Sequence, residues 1–163
     1  MALVGRPNAG KSSLLNALVG ERIAAVSRRP QTTRVRQIGV WQDAEMQAVL
    51  VDTPGLHEAW TEMNRRLVAA ARKALEDVDL LLWIVDSVPL CAQEIPRLSD
   101  ELTAVGAELA ATGKPIVLAL TKVDEVEKAR LLPIMALLAD QAEVVPVSAR
   151  RRDGLDTLAR VVR

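Results

Sequence analysis

Residues 5–13 read GRPNAGKSS, and the fold is decided in this stretch. Gly5-Arg6-Pro7-Asn8-Ala9-Gly10-Lys11-Ser12 fits G-x-x-x-x-G-K-[ST], the pattern of a phosphate loop. In such a loop backbone N–H groups point inward around phosphate oxygens, and the following helix presents its positive end. Gly5 and Gly10 sit where a side chain would fill the anion's place or forbid the backbone angles. Lys11 can reach the outer phosphates, and the Ser12 hydroxyl can bind magnesium. The flanks supply the context that the pattern needs. MALV before Gly5 suits a buried strand, and SSLLNALVG after Lys11 repeats as a helix with Gly20 as its stop.

Further along, the apolar run of AVLVDTPGLH delivers Asp52 to a strand end, the place for an acidic magnesium partner. The Gly55 N–H can then meet a terminal phosphate and swing away when that phosphate leaves. Between these two motifs lies SRRPQTTRVRQ, residues 27–37, a polar stretch with hydroxyls at Thr32 and Thr33. Either hydroxyl can complete a magnesium shell when a third phosphate is present, which makes the stretch a candidate switch. Arg28, Arg29, Arg34 and Arg36 offer contacts to phosphate or RNA, or form a solvated basic loop.

The base is read late in the chain. IVLALTKVD places Thr121, Lys122, Val123 and Asp124 at the end of a buried strand. A carboxylate there accepts from the ring N–H and the exocyclic amine of guanine. Adenine would face it with a lone pair, a mismatch able to discriminate by about 10⁴-fold. Lys122 can lay its stem along the base plane. VVPVSAR ends another strand, with Ser148, Ala149 and Arg150 after it and the Ala149 N–H available to the guanine oxygen.

Apolar runs alternate with helix-period stretches along the whole chain. Strands are predicted at Ala2–Val4, Val35–Trp41, Met46–Val51, Asp79–Val85, Ile116–Leu120 and Val144–Val147. Helices are predicted at Ser12–Val19, Met63–Glu76, Gln93–Ala111, Val126–Ala139 and Leu155–Val162. Continuous runs such as LLLWIV and IVLAL point to parallel strands covered on both faces. The pair 35–41 and 46–51, joined by QDAE, reads as an antiparallel hairpin. The expectation is one α/β domain over residues 1–163, a mixed and mostly parallel sheet flanked by helices, with a short opening strand.

Composition narrows the partners. The 163 residues carry 21 Lys and Arg against 21 Asp and Glu, so no net field draws the chain to nucleic acid or acidic lipid. Phe and Tyr are absent, which argues against an aromatic platform for stacked bases. The one cysteine, Cys91, precludes an internal disulfide, fits a reducing cytoplasm and reads as a buried inert thiol. No leader is read ahead of the loop, and LLLWIV at 80–85 is too short to span a bilayer.

GRPNAGKSSLLNALVG, PQTTR, VDTPGLH, TKVD and VSAR, in this order, resemble the G domains of the Era-like family of bacterial ribosome-assembly GTPases across essentially the whole chain. The first and third motifs are shared widely among GTPases, whereas PQTTR followed by DTPGLH is the more specific signal. The resemblance implies a P-loop fold with a six-stranded sheet, cycling between GTP and GDP with magnesium, and 16S ribosomal RNA of the small subunit as partner. It gathers Gly5, Arg6, Pro7, Asn8, Ala9, Gly10, Lys11, Ser12 and Ser13 around the phosphates, with Asp52, Thr53, Pro54, Gly55 and Leu56 below the terminal one. Thr121, Lys122, Val123, Asp124, Ser148, Ala149 and Arg150 surround the base. Ser12, Thr33 and Asp52 form the magnesium set, with Thr33 matching the family's switch threonine ahead of Thr32. The family also carries a C-terminal KH domain that binds RNA, and residues 1–163 contain none, so RNA binding does not follow for this chain. Thr121 stands where the family usually has Asn and some other GTPases have Thr, so binding is expected to survive, weakened by about one hydrogen bond, roughly 1 kcal/mol.

Lys11, Asn8 and Gly55 are the candidate catalytic residues. Many GTPases orient the attacking water with a Gln after the DxxG turn; here Leu56 and His57 follow it. An apolar residue in that place is normal for the resembling family. His57 is either a stand-in base or an ordinary turn residue. Asn8 resembles the loop Asn of potassium-activated GTPases, where a monovalent cation places charge as an arginine finger would. Its alternative role is to favour a left-handed turn. The leading expectation is a slow GTPase switch in small-subunit assembly. The others are a nucleotide-gated binding module without useful hydrolysis, another Era-like G domain, and an ATP site with Asp124 facing solvent.

Overall fold

The computed structural model describes residues 1–21, 37–42, 45–52, 78–92 and 95–163. Among them, six strands form one sheet: β1 (Ala2–Gly5), β2 (Gln37–Gln42), β3 (Gln47–Asp52), β4 (Leu81–Asp86), β5 (Ile116–Thr121) and β6 (Glu143–Pro146), in the order β2-β3-β1-β4-β5-β6. Only β2 with β3 is antiparallel, from Gln37 opposite Asp52 to Gln42 opposite Gln47, so the expected hairpin is present. The other pairings are parallel, as the unbroken apolar runs require. The helices are α1 (Lys11–Val19), α2 (Ser87–Cys91), α3 (Ile95–Ala110), α4 (Lys128–Leu138) and α5 (Leu155–Val162), with a 3₁₀ turn at Val123–Glu125.

Parallel strands put their carboxyl ends on one edge of the sheet, and those ends carry the motifs. β1 runs into the phosphate loop, β3 stops at Asp52, β4 at Asp86 and β5 at Thr121. The central strands are held by two apolar layers. On one face α1 and α5 bring Leu14, Leu15 and Leu158 onto Leu3, Leu82, Ile84 and Ala119. On the other, Leu109 of α3 and Leu131, Ile134 and Leu138 of α4 meet Val4, Trp83, Val85, Leu118 and Leu120. Each fully buried Leu or Ile contributes about 1.5–3 kcal/mol against the entropy of ordering the chain. The hairpin alternates instead: Trp41 and Leu50 face the core, while Ile38, Val40 and Val49 are exposed.

The predicted helix 63–76 lies outside the described residues. Elsewhere the boundaries differ in two informative places. Periodicity predicts no element directly after β4, yet α2 follows at once. Its signal lies in Asp86-Ser87-Val88-Pro89: the Asp86 carboxylate accepts from the Val88 N–H at 3.0 Å, and Pro fits a first helical turn. The helix predicted from Val126 starts at Lys128, because Val123–Glu125 form the 3₁₀ turn and Val126 is extended. Cys91, expected buried, is only partly so. Burial still pushes its thiol up, against the Arg130 charge, which lowers the share of reactive thiolate. No helix among the described residues is long and apolar enough to cross a membrane.

Gly154 fixes how α5 leaves the base-side loop. Its φ is +75°, and an added Cβ would sit 2.1 Å from the Pro146 carbonyl oxygen. Gly154→Ala is expected to lower stability by about 2–4 kcal/mol, from left-handed strain plus overpacking. A urea unfolding midpoint unchanged from wild type would contradict this.

Candidate nucleotide-binding site

The loop between β1 and α1 is shaped by two glycines and one asparagine. An added Cβ on Gly5 would lie 2.3 Å from the Ile84 carbonyl oxygen, so only glycine lets β1 and β4 close up at the loop's root. Asn8 takes φ 62° and Gly10 φ 97°, which turn the chain back on itself. The Ala9 N–H donates to the Arg6 carbonyl at 3.2 Å and closes that turn. Lys11 is 9% exposed, and its Nζ donates to the carbonyls of Gly5 at 2.9 Å and Arg6 at 2.8 Å. The ammonium is thereby held across the loop it serves. The N-cap of α1 is Gly10, which makes no side-chain capping bond to the anion-seeking end of the helix.

Asp52 closes β3 opposite Leu3 of β1, two residues before the loop begins at Gly5. The strand pairing thus brings its backbone to the phosphate end. Thr33, Thr53, Pro54, Gly55, Leu56 and His57 lie outside the described residues, as do the Arg28, Arg29, Arg34 and Arg36 cluster and Thr32. No group of three or more His, Cys, Asp and Glu gathers as a metal cage among the described residues. The expected magnesium set needs none, because that ion takes one or two protein oxygens and fills its shell with water and phosphate. Ser12 in the first turn of α1 suits such a set.

At the base end, Thr121 is 3% exposed and its hydroxyl lies 2.6 Å from the Ala9 carbonyl and 3.1 Å from that of Val85. One hydroxyl hydrogen serves two acceptors, and the shorter contact ties β5 to the phosphate loop. Thr121 therefore makes a defined link of its own where the resembling family has Asn. Lys122 then turns left-handed, φ 59°, and its Nζ is ion-paired with Asp86. Asp86 belongs to none of the sequence motifs, although it closes LLLWIVD as Asp52 closes AVLVD.

Asp124 has a side chain only 4% exposed, and its Oδ2 has no hydrogen-bond partner among the described residues. Arg150 Nε is 3.3 Å from that oxygen and Arg151 Nε 4.0 Å, charge contacts without hydrogen-bond alignment. Ser148, 1% exposed, accepts the Arg151 N–H at 3.0 Å and is held by paired backbone bonds with Asp153. The Ser148 hydroxyl keeps the Asp124 carboxyl below the usual carboxylate range, with Arg150 and Arg151 adding to the effect against burial. Asp124, Ser148, Arg150 and Arg151 thus converge, and among the described residues a buried acceptor is left for a donor from outside. Such an acceptor costs about 1–3 kcal/mol unless it is met.

A carboxyl whose folded pKa lies below its unfolded one stabilises the fold above the unfolded value, and the contribution fades as pH falls through the folded one. Asp124→Asn is therefore expected to cost stability in urea at neutral pH and progressively less in acid below the ordinary 3.8. An equal cost at both would contradict the assignment.

Comparisons with known proteins agree with this geometry. The family model described as 50S ribosome-binding GTPase matches residues 1–122. GTPase Era of Ectopseudomonas mendocina is 43% identical over 167 aligned positions, covering 99% of this chain and 53% of that protein. Two solved structures superpose with 29% identity over 99% of this chain and 54% of theirs. One is a point variant of Aquifex aeolicus Era bound to GDP.AlF4-, at TM-score 0.76. The other is Era in complex with MgGDPNP and nucleotides 1506–1542 of 16S ribosomal RNA, at TM-score 0.77. The chain spans about half the length of these relatives. A P-loop strand-to-helix turn, a base-side carboxylate and these matches place it: the chain belongs to the 50S ribosome-binding GTPase family, among relatives named Era.

Proposed function

We propose that residues 1–163 are the nucleotide-binding domain of a cytoplasmic GTPase switch in ribosome assembly, taking GTP and releasing GDP and phosphate slowly. The observation that carries the guanine reading is the buried Asp124 Oδ2, without a hydrogen-bond partner among the described residues, in the turn after β5 and beside Ser148. The two N–H donors of guanine match it, and adenine does not. An ATP site with Asp124 facing solvent is disfavoured by the 4% exposure of that side chain.

Within this reading the loop from Gly5 to Ser13 wraps the phosphates, and Lys11 exchanges its bonds to the Gly5 and Arg6 carbonyls for phosphate oxygens. Ser12, Asp52 and Thr33 would hold magnesium, which when bound neutralises charge developing on the phosphates. The solved Era relative with MgGDPNP supports that choice of ion. Thr53, Pro54, Gly55 and Leu56 follow Asp52 as the segment that senses the terminal phosphate. Asn8 already accounts for a left-handed turn at φ 62°, and its proposed second role is to help hold potassium beside the phosphates.

The ribosomal partner rests on the relatives. The family description names the 50S subunit, while the solved Era complex contains part of 16S RNA, a small-subunit molecule. The Era relatives favour the second. The balanced charge of this chain gives it no net field toward RNA, so contact with 16S RNA is assigned first to the half of the relatives' length that it does not span.

The test is phosphate release from GTP with magnesium, in potassium and then in sodium at equal ionic strength. Slow release that quickens in potassium is expected. Equal slow release would remove the cation role of Asn8, leaving His57 or a partner to supply the missing charge. Tight GDP binding with no release would instead favour a nucleotide-gated binding module.

A further inference from the structure

The guanine motif of this chain contains a lysine whose head group does not point freely into the site. Lys122 and Asp86 occupy the ends of neighbouring parallel strands, with Asp86 in register with Thr121. Lys122 leaves β5 in the left-handed region, and its Nζ meets the Asp86 Oδ2. The other oxygen of the same carboxylate, Oδ1, accepts the Val88 N–H at 3.0 Å and caps α2. Both side chains are partly buried, at 32% and 19% exposure, so solvent competes for this ion pair less than for one at the surface.

We propose that Asp86 is a positioning residue of the base pocket: it anchors the Lys122 ammonium so that the lysine stem forms a fixed wall for the guanine plane. This role rests on the guanine reading above and deepens it. The physical reason is entropic. A free lysine side chain populates many rotamers, and an ion pair formed beforehand at its tip removes part of the ordering cost from the binding step. α2 in turn fixes the carboxylate, because a capping oxygen cannot rotate away without releasing the Val88 N–H. A five-residue helix directly after β4 thus acts as the mount for a base-contacting side chain.

The two oxygens of Asp86 can be tested separately. Asn caps a helix about as well as Asp, so Asp86→Asn keeps the bond to Val88 and loses the charge facing Lys122. Glu keeps the charge and is a poorer cap, so Asp86→Glu makes the opposite trade. GDP affinity by calorimetry and melting temperature would be measured for wild type, both variants, Lys122→Met, and Asp86→Asn combined with Lys122→Met. ADP is titrated against wild type as the base control.

Asp86→Asn is expected to bind GDP roughly three- to tenfold more weakly with little change in melting temperature. Asp86→Glu is expected to hold GDP more tightly than Asp86→Asn while melting lower. Adding Lys122→Met to Asp86→Asn should weaken GDP binding by less than Lys122→Met does in the wild-type chain, because the two residues act as a unit. Wild-type GDP affinity in Asp86→Asn would overturn the proposal, as would strictly additive losses in the double variant. A loss in Asp86→Asn that tracks a lowered melting temperature would also overturn it, since the residue would then be structural only. A wild-type chain that takes ADP as readily as GDP would overturn the guanine reading itself, and this role with it.

Discussion

One hydroxyl joins the two halves of this site. Thr121 ends β5, the strand that leads to the base reader, and its Oγ1 lies 2.6 Å from the carbonyl of Ala9 in the phosphate loop. The residues are 112 positions apart in sequence, so the contact exists only when the sheet is assembled. Ala9 is 2% exposed, so its carbonyl has little access to water as an alternative partner. The distance between phosphate cradle and base pocket is therefore set by the sheet and not by the loop. A nucleotide bound as proposed would span both, and a rigid spacing would spare it the ordering of a flexible site.

The same logic extends across the edge of the sheet. β1, β3, β4 and β5 run parallel, and each delivers a polar residue or a tight turn where its buried stretch stops. The positions just past a buried strand are where a side chain can be held on one side and reach a ligand on the other. Gly5, Asp52, Asp86 and Thr121 all occupy such positions. Left-handed turns at Asn8, Gly10 and Lys122 then change the chain's direction within one residue. Backbone strain of this kind persists because the strands around it are locked by two apolar layers.

Much of this is legible in the sequence, for physical reasons that differ from place to place. The phosphate loop reads directly because glycine spacing, Lys11 and an apolar strand before it rarely coincide outside a phosphate site. The parallel strands read directly because burial on both faces leaves no polar alternation, as in LLLWIV and IVLAL. Helix α2 does not, since five residues are too few to establish a period, although Asp86 and Pro89 mark its start. The pairing of Asp86 with Lys122 is not legible either. It depends on β4 and β5 being neighbours in a particular register, which composition and spacing do not contain. In the sequence Thr121 reads as a lost amide, and only the packed sheet gives its hydroxyl the Ala9 carbonyl.

Thr121→Val tests the link between β5 and the phosphate loop most directly. Valine keeps the β-branched shape in the strand and removes the hydroxyl, leaving the Ala9 carbonyl without its donor. GDP affinity measured by calorimetry should fall by about 1–3 kcal/mol, on the order of tenfold or more in Kd. Wild-type affinity in Thr121→Val would contradict the claim that β5 holds the phosphate loop in register with the base pocket.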